Sequence, residues 1–428
     1  MAVTHLLNSI AELFCSDIEN QDPGAKRGPA ASNGLVLLDE DWTIRDKESQ
    51  SGSAPDVMSS DETQSVITFG SQGRSKSIKS PIPLMNLKNS CYMNSVVQSL
   101  IAFPEFIVSL QRYLNSESHA TRNDENSNEL MDRTNSQAEN PIGVRFPIIK
   151  ALVKLFLDYE TERRRESNEE KTTDMRYRLE RLKEKVGNQS KQFLSDNQQD
   201  AGEFFSFLMD AASDEFKRAK SPSLIDNWMA MTTETRMTCC TCRRVSDPVV
   251  THSTSTYLAV PEQSEDRDDD PELNLQRLLT NSLQEVDRRE YPCPAEGCEG
   301  RETDASRTIA KLPKILVIQM SRISLAGEKI ERPVEVDHTL SITSGATPVE
   351  EDELTAVTDK RCVRYELKSV ICHIGPSTTK GHYYSLTRNH VNGSWYDCDD
   401  HEIKRVNFDQ VCADGRIYGY CFFYEKID

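Results

Sequence analysis

Three widely separated residues in this sequence could together carry nucleophilic chemistry: Cys91, His382 and Asp399. Cys91 follows Asn86-Leu87-Lys88-Asn89-Ser90 and opens a run with helical spacing. The first turn of a helix carries partial positive charge, which favours a thiolate there. Asn86, five residues earlier, can turn a side-chain amide toward the same space, as an oxyanion requires. His382 lies in Gly381-His382-Tyr383-Tyr384, after a loop of glycine and small polar residues and at the start of an apolar strand. Asp399 and Asp400 follow the next strand, across an Asn392-Gly393 turn. Antiparallel pairing of those strands would bring Asp399 beside His382, where a carboxylate orients an imidazole and stabilises its charged form. A cysteine at a helix start is by itself an ordinary core residue. With a base and a carboxylate in the order Cys, His, Asp, it reads as a papain-like set of roles.

A second group has metal-ligand spacing. Cys239 and Cys242 form a Cys-x2-Cys pair, and Cys293 and Cys298 a Cys-x4-Cys pair. Four thiolates satisfy a tetrahedral structural zinc site, and such a site has no open position for catalysis. The gap between the pairs is long, so two unpaired thiol turns are the competing reading. Cys240 is a bystander in either case.

Positioning elements follow from the hydrophobic pattern. Val96, Val97, Leu100, Ile101 and Phe103 predict a helix within Asn86–Phe106, with Ser90 as N-cap and Pro104 as its end or kink. Ile148–Tyr159 and Ser195–Phe216 predict further helices, the latter capped by Asp196 or Asn197. Thr161–Lys185 reads as a charged, solvated helix face, and Asn115–Asn140 as a polar surface loop. From about Asn227 strand-like runs dominate: Val249–Val260, Ile315–Met320, Arg364–His373, His382–Arg388, Ser394–Cys398 and Ile417–Glu425. Glu265–Glu272 and Gly345–Thr358 read as loops. The class is α+β, helical first and largely antiparallel after.

At 428 residues the chain exceeds a single compact core. Residues 1–80 read as a mostly disordered, serine-rich tail. Within it, Leu6–Phe14 and Val36–Trp42 are apolar enough to be partner-binding segments or merely helix-prone. A net charge of −18 argues against a nucleic-acid surface. No apolar run has the length of a membrane span, and the first residues lack a secretory signal pattern. A cytoplasmic or nuclear protein with free thiols is expected, without a membrane or nucleic-acid partner.

From Pro81 to Ile427 the sequence resembles the ubiquitin-specific protease family of deubiquitinases. The Cys91 segment is similar to its cysteine box, Tyr365–Asp400 to its histidine box, and Ile417–Tyr424 to its closing strand. Ser195–Phe204 resembles a third block, beside the ubiquitin tail. The resemblance implies a papain-like fold of thumb (about 81–219) with fingers and palm (about 220–428), the segment 115–140 being an insert. It implies Cys91 as nucleophile, His382 as base, Asp399 as its orienting partner and Asn86 as oxyanion donor. Asp400 matches a second acidic position, and Gln199 and Asp200 match the channel for the ubiquitin tail. His373 matches a structural or channel-lining histidine. Cysteine pairs at these places hold structural zinc in the fingers; no cofactor is implied for catalysis. The implied partners are ubiquitin, whose tail arginines suit an acidic protein, and ubiquitinated proteins. Pro83 and Lys88 replace family glycines, Ser90 a threonine, Ser321-Arg322-Ile323 the usual Lys-Arg-Phe and Cys398 an aromatic. Two alternatives stand: a protease for a ubiquitin-like modifier, and a catalytically weak ubiquitin-binding scaffold, which Lys88 alone supports.

Overall fold

In the computed structural model the described residues all fall within one unit, Arg74–Asp428. The structure describes residues 80–127, 145–165, 175–261, 273–284, 286–322, 329–344, 361–377 and 380–427. The expectations for the N-terminal tail with Leu6–Phe14 and Val36–Trp42, for Glu265–Glu272, for Gly345–Thr358 and for residues 128–140 lie outside the described residues.

Helix α1 (Cys91–Ile101) is buried along its whole length, so its polar residues are fastened internally. Ser95 and Ser99 bond to carbonyl oxygens of the preceding turn. Pro104 ends this helix and starts the next, α2 (Pro104–Ser127), after a bend of 89°. Proline suits a first helical position because its missing N–H has no partner there anyway. Helix α2 corrects the loop reading of Asn115–Asn140: residues 115–127 are helical. Once Phe106, Leu110 and Leu114 are packed, each added turn costs little, and Ser116 and Ser118 bond back to Tyr113 and Leu114. No single helix among the described residues is long and apolar enough to cross a membrane.

Helices α3 (Pro147–Arg164), α4 (Met175–Gly187), α5 (Lys191–Leu194), α6 (Ala201–Arg218) and α7 (Leu224–Met229) complete the helical part. The start of α3 is closed by α6: Glu215, fully buried, accepts the N–H groups of Ile148 and Ile149 at 2.7 and 3.1 Å. Helix α4 is solvated on one face only; Leu179, Leu182 and Val186 are buried on the other.

Two sheets follow. The small one has the order β2-β1-β5-β4, from β1 (Met231–Cys239), β2 (Val249–Ser253), β4 (Asp287–Glu290) and β5 (Glu302–Lys311). The large one runs β11-β10-β9-β8-β12-β6-β3, with β7 (Thr339–Ser344) also paired to β8. Its strands are β3 (Thr256–Ala259), β6 (Ile315–Ser321), β8 (Arg361–Ser377), β9 (Lys380–Arg388), β10 (Trp395–Asp399), β11 (Glu402–Val406) and β12 (Gly419–Lys426). The run Val249–Val260 is therefore two strands in different sheets, broken where Ser253 Oγ donates to the Ser255 carbonyl at 2.6 Å. Ile417 belongs to a helix (α9, Phe408–Tyr418) and not to the closing strand, because Asn407 caps that helix by accepting the Gln410 N–H at 2.8 Å. The remaining helix among the described residues, α8 (Leu275–Gln284), covers the far face of the large sheet.

The large sheet is buried on both faces, which explains its continuous apolar strands. In β6, Ile315 and Val317 join the helical core, while Leu316, Ile318 and Met320 join the opposite one. In β12, Cys421 and Phe423 face the helices, and Phe422 and Tyr424 face away. Helix α1 is locked onto this sheet by a buried hydroxyl chain: Ser369 Oγ lies 2.9 Å from both Ser99 Oγ and Thr387 Oγ1.

Candidate active site

The loop 86–90 delivers Cys91 to the start of α1. Ser90 occupies the N-cap position, but its hydroxyl makes no capping bond. It accepts the Leu87 N–H at 2.7 Å instead, while the Ser90 N–H donates to Asn86 Oδ1 at 3.0 Å. These bonds close a tight turn in which Lys88 and Asn89 take φ values of 60° and 51°. A side chain in that region costs on the order of 1 kcal/mol per residue, so glycine would be favoured at 88. Asp196 compensates: it meets Lys88 Nζ at 2.9 Å and accepts Asn89 Nδ2 at its carbonyl at 3.0 Å. The Lys88 ammonium is thereby tied to Asp196.

His382 stands on β9 and Asp399 ends β10; the two strands pair antiparallel around the Asn389–Ser394 turn. Asp399 Oδ1 is 2.5 Å from His382 Nε2. The other side of the ring bonds Cys91, which lies 3% exposed at the helix start. With Nε2 taken by the carboxylate, Nδ1 is the nitrogen left for the sulfur. The Cys91 contact raises the His382 pKa to about 9; burial opposes this and Asp399 adds to it. The imidazole is thus charged at neutral pH and holds a proton beside sulfur.

Asp400 joins the two halves of the site. Its backbone takes φ 48°, and its carbonyl accepts the Leu84 N–H at 2.8 Å. Its carboxylate accepts Asn86 Nδ2 on one oxygen and Asn94 Nδ2 on the other, each at 2.7 Å. The Asn86 amide is therefore oriented at both ends, by Ser90 and by Asp400, and keeps a second N–H for another acceptor.

The block before α6 is arranged differently from its spacing. Asp200, not Asp196 or Asn197, caps the helix: its Oδ1 accepts the N–H groups of Gly202 and Glu203 at 2.7 and 2.9 Å. Its other oxygen accepts the Tyr420 hydroxyl. Gln199 is buried, with its amide on Gln192. Gln198, which sequence reasoning passed over, reaches the cleft. Its Nε2 is 3.8 Å from Cys91 Sγ and also donates to the Gly381 carbonyl, while its Oε1 accepts the Gly381 N–H at 3.0 Å. Gly381 must be glycine: φ is 151°, and an added Cβ would collide with the Ile374 carbonyl and His373 Nε2. His373 beneath it is 2% exposed, stacked 4.4 Å from Tyr383, and meets Lys329 Nζ at 3.4 Å. Burial first, then Lys329 and His382, push its pKa down to about 4, so it stays neutral.

A buried thiol, a charged imidazole on it and a carboxylate behind the imidazole can perform acyl transfer. The ubiquitin carboxyl-terminal hydrolase family model matches residues 82–424, the span that holds all of these groups. This chain belongs to that family, as a ubiquitin-specific protease. Among its relatives, ubiquitin carboxyl-terminal hydrolase 25 of Arabidopsis thaliana is 22% identical over 347 residues, 78% of this chain and 46% of the relative. Probable ubiquitin carboxyl-terminal hydrolase 16 of Schizosaccharomyces pombe is 24% identical over 342 residues, 77% of this chain and 64% of the relative. This chain thus spans less than two thirds of those relatives' lengths. A solved SAGA Ubp8/Sgf11/Sus1/Sgf73 module bound to ubiquitin aldehyde has a chain with the same fold, with TM-score 0.58 and 20% identity, over 81% of this chain and 70% of that one. The papain-like ubiquitin-specific protease fold expected from the sequence is what the structure has.

In this ubiquitin-specific protease the two cysteine pairs meet at the end of the small sheet. Cys239, Cys242, Cys293 and Cys298 place their sulfurs within 4.8 Å of one another. Two of the separations are 3.8 Å (Cys239–Cys298) and 3.6 Å (Cys242–Cys293). A regular tetrahedron with Zn–S bonds of about 2.3 Å has edges of about 3.8 Å, so the donor set fits the ion. The Gly300 N–H donates to Cys298 Sγ at 3.4 Å, and a Cβ at Gly300 would overlap Cys239 Sγ. Cys240, on the same turn, is outside the cluster.

Proposed function

We propose that this protein is a thiol-dependent deubiquitinase that hydrolyses the bond after the C-terminal glycine of ubiquitin on conjugated proteins. The observation that carries this reading is the continuous contact from Cys91 through His382 to Asp399 in a chain of this family. The Cys91 sulfur attacks the glycine carbonyl carbon; the S–C bond forms and the carbonyl π pair moves to oxygen. The free N–H of Asn86 and the Cys91 backbone N–H, which has no partner within its helix, receive that oxyanion. As the carbonyl re-forms, the C–N bond breaks and the lysine amine leaves with the His382 proton. His382 then removes a proton from water, which attacks the thioester and releases ubiquitin carboxylate and the Cys91 thiolate. Asp399 holds the imidazole. Asp400 orients Asn86, and Asp200 acts on the tail channel by fixing α6 and Tyr420, with Gln199 packed behind it. Residues 81–219 serve as thumb and 220–428 as fingers and palm, the fingers held by one structural zinc on the four cysteines.

A ubiquitin probe with a C-terminal electrophile is expected to label Cys91, located by mass spectrometry. Faster labelling by a ubiquitin-like probe reassigns the modifier, and tight ubiquitin binding without labelling turns the protein into a scaffold.

The proton on His382 also sets a pH limit. Its pKa of about 9 lies above the ordinary histidine value, so the proton is held through neutrality and lost as pH rises through about 9. Turnover of an amide-linked ubiquitin substrate is expected to fall along that limb, because the leaving amine loses its donor. Asp399→Ala removes one of the raising contacts and moves the limb to lower pH; an unmoved limb counts against His382 as the titrating group.

A further inference from the structure

We propose that Gln198 is a catalytic residue, a second side-chain donor to the oxyanion; this rests on Cys91 acting as the acyl-transfer nucleophile. Besides the His382 imidazole, the Gln198 side chain brings an N–H into hydrogen-bond contact with Cys91 Sγ, at 3.8 Å. Asn86 has one amide hydrogen committed to Asp400. Gln198 is held in place at both ends of its carboxamide. Oε1 accepts the Gly381 N–H at 3.0 Å and Nε2 donates to the Gly381 carbonyl. That pairing leaves the second Nε2 hydrogen for the sulfur. The assignment of Oε1 and Nε2 is dictated by Gly381, whose N–H must meet oxygen and whose carbonyl must meet nitrogen.

Attack by Cys91 places negative charge on an oxygen two bonds from Sγ. A donor already resting on the sulfur needs only a small displacement to reach that oxygen, within the range of about 2.7–3.1 Å where such donors act. Its orientation is set before the substrate arrives, by the same glycine that precedes His382. The Gln198 amide therefore couples two requirements: the backbone that presents the imidazole and the charge that forms beside the sulfur. The segment 195–200 can present Gln198 this way because Asp200 is anchored to α6 and Gln199 to Gln192 on the far side.

The test compares wild type with Gln198→Ala and Gln198→Glu, both checked for an unchanged melting temperature. Three quantities are measured: turnover of a ubiquitin C-terminal fluorogenic amide, inhibition by ubiquitin aldehyde, and affinity for unmodified ubiquitin. The aldehyde forms a tetrahedral adduct with sulfur, so its oxygen samples the oxyanion position; unmodified ubiquitin does not. In Gln198→Ala, kcat is expected to fall about 100-fold, with aldehyde affinity weakened in step and ubiquitin affinity within about twofold of wild type. Gln198→Glu keeps the length and loses the donor, and is expected to fall at least as far. Unchanged kcat and aldehyde affinity overturn the proposal, as does a rise in kcat, which would make Gln198 a plug in the substrate's place. Equal losses of aldehyde and ubiquitin affinity overturn it too, since they mark a binding role only. If wild-type Cys91 itself forms no aldehyde adduct, the nucleophile reading fails separately.

Discussion

Cys91→Ser is expected to lower turnover of a ubiquitin C-terminal fluorogenic substrate by on the order of 10⁴-fold or more, while ubiquitin binding persists. A hydroxyl is a far weaker acid and a poorer nucleophile than a thiol, so it gives up its proton to His382 much less readily. The imidazole sits on that sulfur with Asp399 at 2.5 Å behind it and already carries a proton, so it is poorly placed to take one from an alcohol. The substitution is nearly isosteric in a site 3% exposed, so the fold should survive and binding can be measured on the same protein. Fluorescence polarisation with labelled ubiquitin reports the binding, and steady-state kinetics the turnover. Residual activity near wild type sinks the nucleophile assignment; loss of ubiquitin binding together with activity would point to misfolding, which circular dichroism detects.

The second large effect concerns the metal. Purified protein is expected to carry one zinc per chain, measured by plasma mass spectrometry, and a strong chelator is expected to loosen the small sheet. Apparent zinc binding to four-ligand peptide sites is worth on the order of 10 kcal/mol, far more than the apolar contacts of this sheet can replace. The strands β1 and β5 bury few apolar side chains: β1 exposes most of its length partially, and Val249 and Val250 on the edge strand β2 are half-exposed. With the ion removed, or with Cys242→Ser, hydrogen exchange at Met231–Cys239 and Glu302–Lys311 is expected to rise well above that of β6 and β12. The large sheet and Cys91 reactivity toward small electrophiles should change much less, since no cysteine of the cluster touches the Cys91 site. Metal-free protein after gentle purification removes the zinc reading and leaves the chemistry of Cys91 intact.

The parts of this protein that were legible before folding share one property: their signal is local. Cys91 at a helix start, His382 beside a glycine, Asp399 after a turn and the two cysteine pairs are each marked by residue type and spacing within a few positions. The buried strands β6 and β12 were legible for a related reason, because two apolar faces produce an unbroken apolar run. The polar strands β1 and β5 were not. Their residues, from Thr232 to Thr238 in β1, hold together by backbone pairing across a long separation and have no apolar alternation to announce it.

Tertiary structure alone decided which of three adjacent side chains faces the thiol. The sequence reading put Gln199 and Asp200 at the channel and passed over Gln198. The fold turned Asp200 onto the first N–H groups of α6 and the Tyr420 hydroxyl, and Gln199 onto Gln192. That left Gln198 to meet Gly381 and Cys91. The same holds for Asp400, whose left-handed backbone lets one carboxylate gather Asn86 and Asn94 from a segment some three hundred positions away. Residue type and spacing determined which groups could react and that a cysteine, a histidine and an aspartate would be among them. Which amides stand ready beside the sulfur was decided by contacts between distant segments, because a side chain's direction depends on what its neighbours have already bonded.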